Sequence, residues 1–173
     1  MNKTQIAPDL ITIYSNYMDN NSYAVFKDNK VVVIDPSFSG KEIINSIPKN
    51  AEVVGILLTH AHFDHCFDTK LILNKWPKAK VYIHEGDKLT YTTYRYDDLV
   101  NMKLDDFSDS IIWFNSKKIK IDNFEFDVIH TPGHTNGSVT FIYNNYAFVG
   151  DTLFYNSYGR TDLGNSSMSQ MIK

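Results

Sequence analysis

The chain has 173 residues, 43% of them hydrophobic and 21% charged, which is enough for one domain with a sizeable core and does not suit a disordered chain. A formal net charge of −3 disfavours nucleic acid or an anionic membrane as the main partner. The single cysteine excludes an internal disulfide and a cysteine-based zinc finger. We expect a soluble, cytoplasmic protein, because no secretory leader and no long apolar stretch stands out in the sequence.

Short β-branched or aromatic runs predict strands in the first part of the chain. The predicted strands are Leu10–Tyr14, Ser22–Lys27 and Lys30–Asp35. The pair Asp28-Asn29 predicts a hairpin turn between the last two. Ser39 is followed three residues later by Glu42, the spacing of a capping box, which predicts a helix through Ile47.

The middle and the second half of the chain also contain predicted strands interrupted by a predicted helix. Val53–Leu58 is continuously apolar, which predicts a strand covered on both faces, and Asp68–Trp76 has helical spacing. The pair Asn144-Asn145 predicts a tight hairpin turn. The other predicted strands are Lys80–His84, Ile111–Phe114, Lys117–Asp122, Phe124–His130, Ser138–Tyr143 and Tyr146–Gly150.

Glu85–Ser110 has the least regular pattern, and it is either a lid or binding loop or a pair of helices that covers the core. Its aromatic and cationic side chains include Tyr91, Tyr94, Arg95 and Tyr96. A further helix is predicted to start at Met168. Since no repeat or linker divides the chain, we expect one domain over residues 1–173, built from sheets with helices packed outside them.

Four potential metal ligands lie close together in the loop Thr59–His65, namely His60, His62, Asp64 and His65. Imidazole nitrogens and carboxylate oxygens both bind zinc and ferrous iron. Because alternate side chains of an extended segment share a face, His60 and His62 can bind one ion. Asp64 and His65 follow the turn and can face a second ion roughly 3.5–4 Å away. A structural zinc site is the alternative, although such sites are usually closed by two local Cys or His pairs.

Other candidates follow the ends of strands. His134 lies in H-T-P-G-H-T-N-G-S, where a Pro-Gly turn presents it from a second loop. Asp151 ends an apolar strand, where an ionised carboxylate needs a partner, and we predict a metal ligand rather than a cap. Asp35 is predicted to support a ligand histidine, or else to be a turn residue before a proline. His130 is predicted to be a buried or hydrogen-bonded histidine, and Cys66 a small buried hydrophobe.

The sequence resembles the metallo-β-lactamase-fold family, in particular its glyoxalase II-like hydrolases. Three motifs match in order: T-H-A-H-F-D-H at 59–65, T-P-G-H-T at 131–135 and G-D-T-L-F at 150–154. The first hairpin and the segment G-R-T-D at 159–162 also match, so the likeness runs from about Ile11 to about Leu163. The resemblance implies an α+β fold, a four-layer αββα sandwich in which two mixed sheets are flanked by helices.

The resemblance also implies a binuclear metal site. One ion would be held by His60, His62 and His134, and the other by Asp64 and His65, with Asp151 bridging both. Zinc is the expected metal, and iron or manganese are alternatives. A metal-bound hydroxide, held by His60, His62 and Asp151 and assisted by Asp64, would attack a thioester or other ester carbonyl. Asp35, Arg160 and Asp162 are candidates for supporting the ligands or contacting the substrate, and the last two are alternatively a structural ion pair.

Family members usually carry a further histidine that completes the second metal site, and none follows His134 here. We therefore expect either a mononuclear site or a chain that lacks the family's final strand and helix.

Two functions other than hydrolysis stay open. One, which the resemblance also implies, is a persulfide dioxygenase, in which a single iron would be held by His60, His134 and Asp151. The other is a catalytically inactive relative that uses the fold to bind a partner. For the leading hydrolase function we expect a small-molecule thioester or ester substrate, no nucleic-acid or membrane partner, and a monomer or homodimer.

Overall fold

The structure is a computed structural model that describes residues 2–93, 96–97 and 102–173. Its strands are β1 (Asn2–Ala7), β2 (Leu10–Ser15), β3 (Asn20–Lys27), β4 (Lys30–Ile34), β5 (Glu52–Leu57), β6 (Lys80–His84), β7 (Tyr96–Asp97), β8 (Met102–Lys103), β9 (Ile111–Phe114), β10 (Lys118–Ile121), β11 (Phe124–His130), β12 (Val139–Tyr143) and β13 (Tyr146–Phe148). Its α-helices are α1 (Gly40–Ser46), α2 (Phe63–Cys66), α3 (Thr69–Lys75), α4 (Lys88–Thr93) and α5 (Met168–Met171).

The strands form two main sheets and one small hairpin. The first sheet has the order β1-β2-β3-β4-β5-β6-β9, antiparallel from β1 to β4 and parallel from β4 to β9. The second has the order β10-β11-β12-β13 and is antiparallel, while β7 and β8 pair separately. The predicted sandwich of two sheets is therefore confirmed, with the refinement that only the first sheet is mixed within the residues described.

The centre of the first sheet is buried on both faces. On one face the helices α1 and α3 pack Ile43 and Ile72 against Val33 of β4. On the other face Leu57 of β5 packs with Phe126 of the second sheet. This double cover explains why Val53–Leu58 is continuously apolar rather than alternating, as the sequence predicted, and the buried run Val31–Ile34 of β4 has the same cause.

The other predicted strands are present, and the ends of most of them are shifted by one or two residues. The strand β1 was not predicted because its side chains are mostly exposed, so no apolar alternation marks it. In Glu85–Ser110 the structure shows the helix α4 and the β7–β8 hairpin. Tyr91 of α4 is buried in the core, whereas Tyr94 and Arg95 lie outside the described residues. Among the helices of the described part, none is long and apolar enough to cross a membrane.

The capping box predicted at Ser39 is wrong. The helix α1 does begin after Ser39, but this side chain accepts no capping bond from the first turn, and its Oγ instead donates to Ser22 Oγ at 2.6 Å. Asp68 takes the capping role, because its Oδ2 accepts the Gly40 N–H at 2.7 Å. Since Asp68 directly precedes α3, this bond also ties α3 to the start of α1.

Ile121 should contribute far more to stability than the chemically identical Ile129 on the same sheet. Ile121 is 3% exposed and packs on Gly55 of the first sheet, where a Cβ would lie 2.8 Å from Ile121 Cγ2, whereas Ile129 is 52% exposed. We expect Ile121→Ala to lower the free energy of unfolding by about 2–5 kcal/mol, because it leaves a cavity between the sheets. Ile129→Ala should change it by less than about 1 kcal/mol. Urea unfolding followed by circular dichroism measures both, and equal losses would contradict the proposed packing.

Candidate metal centre

The ligand-rich loop begins at the carboxyl end of β5, beside the carboxyl end of its parallel neighbour β4. Asp35, which follows β4, accepts the Thr59 N–H at Oδ1 (2.8 Å) and the Thr59 hydroxyl at Oδ2 (2.6 Å). Asp35 has a left-handed backbone (φ 47°), which aspartate tolerates better than most residues. Its carbonyl accepts the Ser22 hydroxyl at 2.6 Å. A buried carboxylate therefore fixes the start of the loop.

Five of the predicted ligands come together in two overlapping groups. His60, His62 and His134 form one group, and His60, His65 and Asp151 form the other, with one potential ligand atom per residue within 4.8 Å of the others in its group. His62 Nδ1 lies 2.8 Å from His134 Nε2. The Asp151 carboxylate lies 3.0 Å from His65 Nε2 through Oδ1 and 3.3 Å from His134 Nε2 through Oδ2. Asp151 thus faces both groups.

Asp64, the sixth predicted ligand, lies beside these groups rather than within them. Its Oδ2 is 3.8 Å from His65 Nε2, and its side chain is partly open to the cavity in front of the cluster. The Asn20 amide is closer, with Nδ2 at 3.1 Å from His65 Nε2. Asn20 was not predicted as a site residue, because an asparagine before a strand is typical of a turn.

The pKa of His65 is shifted in the opposite direction from the pKa values of His60 and His62. Burial and the neighbouring histidines lower the pKa of His60 well below its usual value and lower the pKa of His62 to about 3. Burial opposes ionisation of His65 as well, but the carboxylates of Asp151 and Asp35 outweigh it and raise the pKa of this imidazole well above its usual range. At Asp151 burial is likewise outweighed, chiefly by His65, so the pKa of that carboxyl is lowered. His60 and His62 therefore favour their neutral forms, whereas the carboxylates of Asp151 and Asp35 favour a positive charge at the position of His65.

The donor set fits a divalent metal ion. His60 Nε2 is buried and has no hydrogen-bond partner among the described residues, which is uncommon for an interior polar atom. His62 Nδ1 and His134 Nε2 face one another at 2.8 Å, a distance at which two ring nitrogens need a shared proton or a common cation. Neutral imidazoles together with carboxylates are the ligands that zinc, iron and manganese take in proteins.

The outer nitrogen of three of these histidines is held by an oxygen atom. The contacts are His60 Nδ1 to Thr59 Oγ1 (3.2 Å), His65 Nδ1 to Asp35 Oδ2 (3.0 Å) and His134 Nδ1 to the Arg160 carbonyl (2.9 Å). Such contacts orient the ring and leave the other nitrogen, Nε2, directed at the centre of the cluster.

The G-R-T-D segment reaches the site through its backbone. The Arg160 and Asp162 side chains form an exposed two-pronged ion pair, with Nε to Oδ1 at 2.6 Å and Nη2 to Oδ2 at 2.8 Å. The Arg160 carbonyl is the part that contacts His134. At Gly159 any Cβ would collide with the Asp151 carbonyl oxygen, so glycine permits this close approach. Sequence reasoning considered only the side chains and missed these backbone contacts.

Asp87 is a second residue that sequence reasoning missed. It is fully buried just after β6, and its Oδ2 accepts the Ala61 N–H at 2.8 Å. Its Oδ1 accepts the Gly137 N–H at 2.8 Å and the Thr90 hydroxyl at 3.1 Å. Ala61 lies between two of the clustered histidines and Gly137 lies three residues after His134, so one carboxylate joins both loops.

His130 and Cys66 lie outside the cluster, as predicted. His130 Nε2 is 2.8 Å from the Asn136 carbonyl, and its ring stacks on His84 with centroids 4.3 Å apart. Cys66 is completely buried, with Sγ 3.1 Å from the His62 carbonyl.

Replacing Asp87 by Asn should loosen the histidine cluster, because an amide cannot accept from two backbone N–H groups as a carboxylate does. We expect zinc affinity to fall about 10- to 100-fold, the usual effect of removing a residue that supports metal ligands. The free energy of unfolding of the metal-free protein should fall by about 2–3 kcal/mol. Competition with a chromophoric chelator measures the first and urea unfolding the second. The exposed Asp109→Asn is the matched control, and wild-type zinc affinity in Asp87→Asn would refute the joining role.

Comparison with known sequences gives a consistent family. Residues 17–171 match the model of the metallo-beta-lactamase superfamily. A Streptococcus pyogenes protein named probable metallo-hydrolase is 34% identical over 164 residues, which are 88% of this chain and 69% of that protein. A hydroxyacylglutathione hydrolase of Xylella fastidiosa is 31% identical over 156 residues, which are 89% of this chain. The chain spans 53% of that enzyme's length.

Solved structures share the fold. The B3 metallo-beta-lactamase BLEG-1 superimposes with a TM-score of 0.79 at 28% identity, covering 94% of this chain and 81% of that one. The protein TTHA1623, solved in a di-iron-bound form, superimposes with a TM-score of 0.78 at 26% identity, covering 93% of this chain and 81% of that one. Because the family model matches most of the chain and the fold agrees, this protein belongs to the metallo-beta-lactamase superfamily.

Proposed function

We propose that this protein is a metal-dependent hydrolase that cleaves a thioester or a related ester. The observation that carries the proposal is the convergence of four buried histidines and the Asp151 carboxylate at the edge of an open cavity. Nothing in the packing of the sandwich requires such a polar cluster in its interior, since unpaired buried polar groups cost stability. The family relation to metallo-hydrolases supports the same conclusion.

His60, His62 and His134 would hold one ion, and His65 and Asp151 would contribute to a second, with Asp64 beside it. A bound divalent ion of this kind lowers the pKa of a coordinated water to about 7 and polarises a carbonyl group. Zinc is the metal we expect, with iron or manganese as alternatives that the same ligands accept.

The chain's own residues position and activate the reactants. Asp151 faces both ligand groups and so fixes their position relative to each other. Asp64 lines the cavity wall, where its carboxylate can accept a hydrogen bond from the attacking water and orient its lone pair. Water adds to the carbonyl carbon, the C–S or C–O bond breaks, and the products are a carboxylic acid and a free thiol or alcohol.

A persulfide dioxygenase is the second candidate function, favoured by one geometric observation. His134 Nε2 and Asp151 Oδ2 lie 3.3 Å apart, and both residues belong to ligand groups that include His60. Two histidines and one carboxylate with open positions are the ligand set of oxygen-activating ferrous sites. One iron per chain together with oxygen consumption on a persulfide would favour this function over hydrolysis.

Removal of a ligand should abolish hydrolysis while leaving the fold intact. We expect His60→Ala and Asp151→Asn each to lower kcat/KM for a thioester by at least about 100-fold, since both remove a group that the metal centre needs. Thiol release measured with a disulfide chromophore reports activity, and circular dichroism reports folding. His130→Ala, an exposed histidine outside the cluster, is the matched control and should keep full activity. Full activity in either ligand variant would reject the site.

A further inference from the structure

A cavity of about 490 Å³ lies directly in front of the candidate metal centre. Asp64, His65 and Asp151 form part of its wall, so a molecule bound there touches the proposed reaction centre. Most of the other lining residues come from the loop before β3 with the start of that strand, and from the loop after β13. The character of these loops therefore determines which substrates fit beside the scissile bond.

The mouth of the cavity carries large apolar side chains that are exposed to solvent. They are Met18 from the first loop and Leu153, Phe154 and Tyr155 from the second. Large apolar side chains that cluster at one cavity are uncommon on a protein surface and usually mark a place where a ligand binds. We refer to these four side chains as the apolar rim.

Local hydrogen bonds hold both loops in place. In the second loop Phe154 and Ser157 form an antiparallel bridge, with the Phe154 N–H donating to the Ser157 carbonyl at 2.9 Å. In the first loop Met18 and Asp19 both have left-handed backbones, with φ of 60° and 53°. The Tyr14 hydroxyl donates to Asp19 Oδ1 at 2.6 Å and fixes that carboxylate at the mouth.

The charged side chains that line the cavity are mostly acidic. Its described lining residues include Asp19 and Asp64 but neither lysine nor arginine. Asp35 and Asp151, which also line it, are each paired with His65. The nearby guanidinium of Arg160 is outside the lining and is already bound by Asp162. No lysine or arginine of the described lining would therefore balance a substrate carboxylate beside Asp19, and a bound metal ion would supply its positive charge at the scissile carbonyl itself.

Building on the hydrolase function proposed above, we infer that the substrate carries an uncharged, apolar or aromatic group beside the scissile carbonyl, and that this group packs on the apolar rim. Substrates with a carboxylate at the same place are poor, because Asp19 repels them. The rim thus selects the substrate class, while the histidine cluster performs the chemistry.

Binding of a neutral fluorescent dye, N-phenyl-1-naphthylamine, tests the rim without requiring catalysis. Leu153→Ser should weaken dye binding about tenfold, because one apolar contact of leucine size is lost. Leu89→Ser is the matched control, since Leu89 is 60% exposed and Leu153 62% exposed, but Leu89 lies in α4 away from the cavity. Equal dye affinity in the two variants would overturn the inference.

Hydrolysis of a matched set of thioesters tests the charge preference. The set is S-phenyl thiobutanoate, the same ester with a carboxylate at the acyl end, and the same ester with a carboxylate on the phenyl ring. We expect kcat/KM to be about tenfold higher for the neutral ester, and Asp19→Asn to raise kcat/KM for the charged esters about fivefold, since one like charge is removed. Asp122→Asn is the control, because Asp122 is also left-handed (φ 51°) but lies in the turn after β10.

Two outcomes separate this inference from the proposed function. If the charged esters are hydrolysed as well as the neutral one, or better, the preference is refuted while the hydrolase stands. If no ester is hydrolysed but Leu153→Ser still loses dye binding, the apolar rim is supported as a ligand site and the proposed thioesterase activity is refuted.

Discussion

The clamping of one loop between two buried carboxylates is the interaction on which the rest of the site depends. β4, β5 and β6 are parallel neighbours, so their carboxyl ends lie side by side at one edge of the sheet. Asp35 follows β4, Asp87 follows β6, and both accept backbone N–H groups from the loop that follows β5. The loop that carries His60 and His62 is thus held from both sides by the sheet itself.

Burying two carboxylates is costly unless each is fully hydrogen-bonded. Asp35 receives three contacts, two from Thr59 and one from His65. Asp87 also receives three, and one of these comes from Gly137 in the loop after His134. The second sheet adds one more tie, because the Val139 N–H donates to the Thr59 carbonyl at 2.9 Å. The two sheets are therefore joined at the same point where the histidines meet, which is a rigid arrangement for a catalytic centre.

Most residues of the cluster could be named from the sequence, because the patterns that mark them are local. Three histidines and an aspartate in one short loop, and a histidine after a Pro-Gly turn, are recognisable without any knowledge of the fold. Continuous or alternating apolar runs likewise located most strands, since burial imposes those patterns. The exposed strand β1 has no such pattern and was missed.

The sequence could not predict the contacts that distant segments make through their backbone groups. Asp87 acts on the N–H groups of Ala61 and Gly137, and any residue type could provide those groups. The Arg160 carbonyl contacts His134 in the same way, and the carbonyl of any residue type could do so. The predicted capping box is absent for a related reason. The Ser39 hydroxyl bonds to Ser22, a residue that is distant from it in the sequence. A carboxylate at the end of a strand flanking the ligand loop is the signal that would have revealed Asp87.

Elemental mass spectrometry of the wild-type chain, purified without chelators, shows whether the clamped loop is a metal centre. We expect about one to two equivalents of zinc, iron or manganese per chain, retained through gel filtration. Two equivalents would mean that both ligand groups are used, and one would mean that Asp151 and its neighbours share a single ion. A chain that holds no metal, and takes up none when titrated, would contradict the claim that the clamped loop is a metal centre.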